Sequence, residues 1–149
     1  MSTHYKGSSE EQLALDTFIK LTRAINTVGR LTRASIESNS ITVSQFGVLE
    51  MLYHIGPLCQ KDISEKLLLT GGNMVTVIDN LERDGLVERR VDPKDRRSKR
   101  VFLSKKGQSL IANIFPAHVH EIVRVLSVLS ADEQQQLGNL LKKLGTSNQ

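Results

Sequence analysis

The groups in this chain able to do chemistry are one cysteine, Cys59, four histidines, and twenty lysines and arginines. The histidines (His4, His54, His118 and His120) form no recognisable triad with the thiol or the acids. G-x-S-x-G, H-E-x-x-H and a phosphate-cradling Gly-rich loop with its lysine are all missing. Catalysis and a bound cofactor are therefore not expected. His118 and His120 stand two residues apart, which on a helix sends them to different sides, and no cysteine or acid cluster completes a set, so no metal is expected. The cations offer more. Ten of the twenty lie between Arg83 and Lys106, against four acids, Asp84, Glu88, Asp92 and Asp95. Cations at that density suit phosphate, and the sequence pI near 9.4 agrees.

The elements that must position those cations lie between Thr70 and Leu103. Thr70 is a helix cap, its hydroxyl able to accept a free amide N–H. Met74, Val77, Ile78 and Leu81 recur at helical spacing and predict one apolar face. Asn73, Thr76, Asn80 and Arg83 share the opposite face, where small and amide side chains suit close approach to base edges. The Gly71-Gly72 pair allows close backbone approach to DNA. Gly85 ends the helix at a position that wants positive φ. Leu86–Val91 and Lys99–Leu103 alternate as strands around a polar turn opened by Asp92-Pro93. Helix, turn, strand, basic tip and strand make a winged helix-turn-helix. The helix would enter a DNA major groove, and the tip would reach the backbone or minor groove. A merely solvated charged hairpin is the competing reading, and the small polar helix face before it weighs against that.

The run Asp79–Gly107 resembles the wing signature of the multiple-antibiotic-resistance-regulator (MarR) family, and the resemblance extends from about Leu15 to Gly145. The segments FGVLEMLYHIG and IFPAHVHEI are similar to a branch that includes hydroquinone-responsive repressors. Asp95-Arg96-Arg97 matches the family's Asp-x-Arg at the wing tip. The resemblance makes Arg97 the minor-groove reader and Asp95 its orienting partner, with Lys94 and Arg96 beside them. A carboxylate at this spacing can fix a guanidinium, and a narrow minor groove attracts arginine. Two positions depart from the family. Arginine is common where Thr76 stands, and a basic residue where Asn80 stands, which shifts base readout onto Asn73, Thr76 and Asn80.

The rest of the chain reads as support for this lobe. A long helix is expected from about Ser9 to Ser38, with Phe18, Leu21, Ile25 and Val28 apolar. A second runs from Ile41 to Ile55, opened by a Thr42/Gln45 capping box, with Phe46, Leu49, Leu52 and Tyr53 apolar, and Gly56-Pro57 ends it. Cys59–Leu67 is the first helix of the helix-turn-helix, with Ile63 and Leu67 inward and Gln60 and Lys61 placed for phosphate. Ser104 caps a helix from Lys105 to about Leu129 that Pro116 should bend. Ser130 and Glu133 form a capping box for a last helix with Leu137, Leu140, Leu141 and Leu144 apolar, which Gly145 closes.

The expected fold is thus mainly α with a small β-hairpin wing, in a single domain over residues 1–149. By resemblance, helices at about 10–38 and 105–145 interlock into an obligate dimer, and about 41–103 form the DNA-binding lobe. Two-fold symmetry then implies a pseudo-palindromic operator with half-sites about one DNA turn apart. The resemblance also implies a small aromatic or phenolic ligand between dimer arms and lobes, for which Tyr53, His54, Phe115 and His118 are candidates. The expected function is a ligand-responsive repressor of transcription. One alternative is a thiol-based regulator sensing through Cys59, which holds a cap position usually occupied by Thr or Ser and stands beside Lys61. The other is a winged-helix protein-interaction module, distinguishable by weak salt dependence. No apolar run nears 18 residues, MSTHYKGSSEEQ lacks a secretory apolar core, and one cysteine fits a reducing compartment, so a cytoplasmic location is expected.

Overall fold

The computed structural model describes residues 4–67 and 71–147. Its elements, in order, are α1 (Ser9–Glu37), α2 (Val43–Ile55), β1 (Leu58–Cys59), α3 (Gln60–Leu67), α4 (Gly71–Arg83), β2 (Val87–Val91), β3 (Lys99–Leu103), α5 (Lys105–Leu126) and α6 (Ala131–Thr146). They fall into two compact units. One comprises the residues up to Thr32 together with those from His120 onward, and the other Arg33–Val119.

The second unit holds the core. Phe46, Val48, Leu49 and Leu52 of α2 are buried with Ile63 of α3 and with Met74, Ile78 and Leu81 of α4. Leu86, Val87 and Val101 join them from the sheet side, and Ile111 and Ile114 from α5. Losing one such buried aliphatic side chain to alanine typically costs about 2–5 kcal/mol. The caps expected at the starts of α2 and α5 are present. Thr42 Oγ1 accepts the Gln45 amide N–H while Gln45 Oε1 accepts that of Thr42. Gly56 and Gly85 both have positive φ, +94° and +72°, as their helix-ending positions require. Ser104 Oγ accepts the Gly107 amide N–H at 2.9 Å to start α5.

In the first unit α6 has no buried residue, and Phe18 and Val128 stay 64 % and 84 % exposed. The leucine stripe of α6 is therefore uncovered within one chain, and that of α1 is uncovered at Phe18 and Ile25, with Leu21 and Val28 half-buried. The Ser130/Glu133 capping box forms at the start of α6.

Several expectations are corrected. The wing hairpin forms as expected from β2 and β3, and a third strand joins it in the order β1-β3-β2, all antiparallel. Leu58 and Cys59 supply the extra strand by pairing with Val101 and Arg100, so α3 begins at Gln60 rather than Cys59. Tyr53 does not join the apolar face of α2 but stands half exposed, while Val48 is fully buried in its place. α5 stops at Leu126, three residues early. Ser127 Oγ donates to the Arg124 carbonyl, and Ser130 must be extended (φ −63°, ψ 165°) to cap the next helix. Gly145 does not close α6, which continues to Thr146 and is capped by the Ser147 amide donating to Lys143 O. The helical conformation of α5 continues through Pro116.

Candidate nucleic-acid interface

α4 is oriented by what it buries. Met74, Ile78 and Leu81 are wholly inaccessible, so the face carrying Asn73, Thr76 and Arg83 must look outward, with Asn80 at its half-buried margin. Gly72 lies in its first turn. Thr70, the expected cap, lies outside the described residues. α3 packs against α4 through Ile63, and it presents Lys61 to solvent and Gln60 at half burial. Lys61 makes a loose 3.8 Å ion pair with Glu65 one turn on, which solvent screens to little effect.

The cations of the wing divide into two sets. Those near its base are committed. Arg89 of β2 bridges Asp79 and Glu82 of α4, and its amide N–H donates to Glu82 Oε1 at 3.0 Å. That amide first, and the guanidinium after it, hold the Glu82 carboxyl below its ordinary range. Arg90 pairs with Glu88 at 2.7 Å and lies 4.9 Å over the Phe102 ring. Arg100 donates through Nε to Asp92 Oδ2 and through Nη1 to the Pro57 carbonyl. Arg83, at the end of α4, is not committed in this way: its 3.5 Å pair with neighbouring Asp84 is exposed and screened by water. Those at the tip are not committed. Among the described residues Lys94, Arg96, Arg97 and Lys99 make no ion pair.

The tip is shaped by two aspartates. Asp92 Oδ1 accepts the Lys94 amide N–H at 2.9 Å, and Asp92 and Ser98 are joined by a backbone bond across the turn. The Lys94 amide, and next the Arg100 guanidinium, hold the Asp92 carboxyl below its usual range. Asp95 Oδ1 accepts the amide N–H of Arg97 at 3.0 Å. The tie between Asp95 and Arg97 is thus made to the backbone: the carboxylate fixes the turn from which the guanidinium projects.

The result is a winged helix with an outward polar helix face and a tip whose cations make no ion pair among the described residues. Residues 41–99 match the MarR family. The HTH-type transcriptional regulator YkoM of Bacillus subtilis is 39% identical over 140 residues, covering 94% of this chain and 91% of that protein. The chain belongs to the MarR family. MhqR, another MarR-type regulator of Bacillus subtilis, is 36% identical over 89% of this chain and 91% of its own. A Staphylococcus aureus MepR solved in complex with DNA superimposes with a TM-score of 0.75 at 30% identity, over 87% of this chain and 97% of that one. This MarR-family protein is a winged helix-turn-helix transcriptional regulator. The relatives are regulators and not enzymes.

The expected effector residues are only partly brought together. Tyr53, His54 and Phe115 form an edge-to-face series, with ring centroids 5.1 and 4.7 Å apart. His118 follows Phe115 by three residues on α5, with its ring 4.7 Å from Phe46 and its Nδ1 sharing a 3.1 Å hydrogen bond with Ser35 Oγ. His54 lines an apolar cleft of about 240 Å³ with Gly47, Glu50, Met51, Ile55 and Leu67. Tyr53 lines a separate, more polar cleft of about 520 Å³ with Pro57, Phe102 and Gln108. Cys59 caps α3 through its sulfur, Sγ accepting the Asp62 amide N–H at 3.5 Å. Among the described residues no three His, Cys, Asp or Glu side chains gather as a metal site. No single described helix is long and apolar enough to cross a membrane.

Reading the sequence missed Arg89, Asp92 and Arg100 as positioning residues. Asp92-Pro93 gave a signal for the turn but none for its arginine partner. Arg89 had none, since its carboxylates stand seven and ten residues away on another element.

Proposed function

We propose that this regulator is a cytoplasmic, non-catalytic repressor that occludes a promoter and leaves it when a small aromatic or phenolic ligand binds. α4 would sit in the major groove with Asn73, Thr76 and Asn80 at base edges and Gly72 allowing close approach. Gln60, Lys61, Thr70 and Arg83 would take phosphate. Arg97 would enter the flanking minor groove from the turn set by Asp95, with Lys94 and Arg96 on the backbone. The observation that carries this is the division of cations: those at the wing base are spent inside the protein, while Lys94, Arg96, Arg97 and Lys99 are left for an external anion.

The uncovered stripe of α6 and the exposed Phe18 and Ile25 of α1 are the surface for the second copy, which places two α4 helices on a pseudo-palindromic site. The ligand reading rests on the resemblance to the hydroquinone-responsive branch and on the Tyr53–His54–Phe115 ring series. A ligand acts here only by preferring the DNA-incompetent arrangement. The test is titration of the purified protein against the DNA upstream of its own coding sequence, at several salt concentrations, then with phenols and quinones. Salt-steep binding released by one compound supports the reading. Salt-insensitive behaviour sinks it in favour of a protein-interaction module.

A further inference from the structure

The outward face of α4 carries an apolar side chain that the hydrogen-bonding residues leave unexplained. Val75 is 42 % exposed on a helix whose Met74, Ile78 and Leu81 are wholly buried. Those three anchors fix the helix rotation, so Val75 has no inward alternative. Its β-branched side chain holds essentially one rotamer in a helix, so little freedom is lost when it is covered. Single exposed valines are ordinary on protein surfaces. This one stands one and two turns before Asp79 and Glu82 on the helix whose Asn73, Thr76 and Arg83 look outward. From Gly71 to Glu82 the helix contains no lysine or arginine, so the common bidentate contact of a cation to guanine is left to Arg83 at its far end.

In the major groove the one hydrocarbon group offered by a base is the 5-methyl of thymine. We propose that Val75 reads a thymine methyl, making the half-site under α4 one specified at an A·T pair through apolar contact. This rests on α4 being the major-groove helix, and it goes beyond that by naming the base and the contacting group.

The experiment takes a duplex selected by the full-length protein from a randomised pool and replaces its thymines one at a time by deoxyuridine. That change removes the methyl and leaves every hydrogen-bonding edge intact. For a thymine at equivalent positions of the two half-sites, wild type should lose about 4-fold in affinity per methyl, the worth of one buried methyl group. Val75→Ser should bind the thymine duplex as weakly as wild type binds the uracil duplex, and should be indifferent to the replacement. Val75→Thr, which keeps one methyl, should retain a reduced response. If wild type is indifferent at every thymine, or if Val75→Ser stays as sensitive as wild type, Val75 is not the reader. If wild type enriches no sequence from the pool, the DNA-binding reading itself fails, and the proposal falls with it.

Discussion

Asp92 Oδ2 accepts the Nε–H of Arg100 at 2.6 Å, joining the first residue of the wing turn to the strand that leaves it. The same carboxylate takes the Lys94 amide, and the same guanidinium reaches Pro57 ahead of β1. Wing and helix-turn-helix are thereby fastened through one buried aspartate. Its carboxyl titrates below the ordinary value, as those of Glu82 and Glu121 do, the last held down by Arg124. For such groups the added stability is complete above the unfolded carboxyl range of about pH 4, and it is lost as pH falls through the lower folded values. Denaturation followed from pH 6 to pH 2 should show that acid loss. Asp92→Asn should be less stable than wild type at pH 6 and should lose less than wild type as the pH falls.

Two glycines separate steric from backbone demands. A Cβ on Gly107 would meet the Leu86 carbonyl oxygen in a forbidden overlap. Gly107→Ala should destabilise by about 1–3 kcal/mol in chemical denaturation, the usual cost of overpacking. Gly85 has open space around it but a φ of +72°, so Gly85→Ala should cost only about 1 kcal/mol, from the left-handed conformation alone. Equal costs at the two sites would contradict the Gly107 contact.

Arg97→Ala should weaken operator binding by about 1–3 kcal/mol if the guanidinium enters the groove. Lys94→Ala should act differently, weakening all sequences alike and reducing the salt slope by about 1 for each bound subunit. Gel-shift titrations at four salt concentrations distinguish the two. Unchanged affinity in Arg97→Ala would dismiss the wing assignment.

Cys59→Ser replaces a weak sulfur acceptor at the α3 cap by a hydroxyl. The variant should keep its DNA affinity and gain up to about 1 kcal/mol of stability. Any response of DNA binding to peroxide or quinone that survives the substitution removes Cys59 from signalling.

What was legible in the sequence was local. The capping boxes at Thr42/Gln45 and Ser130/Glu133 span three residues and depend on nothing distant, and both form. The buried stripe Met74, Ile78 and Leu81 follows from helical periodicity alone. What escaped was set by long-range register. β1 is two residues long and exists only because Val101 and Arg100 lie across from it, more than forty residues later in the chain. Which cations stay free was equally hidden. Arg89 and Arg97 look alike in sequence, and only the packing of β2 on α4 gives the first two carboxylates and leaves the second none.

The turn from α4 to β2 has no play in it. Ser104 Oγ donates to Gly85 O at 2.6 Å, Lys106 Nζ to Asp84 O at 2.8 Å, and the Ser104 amide to Leu86 O, while Gly107 leaves no gap for a methyl group. The first turn of α5 and the last turn of α4 therefore behave as one solid joint. A tilt imposed on the start of α5 finds no compliant hinge there in which to dissipate, and the tail of the recognition helix must travel with it.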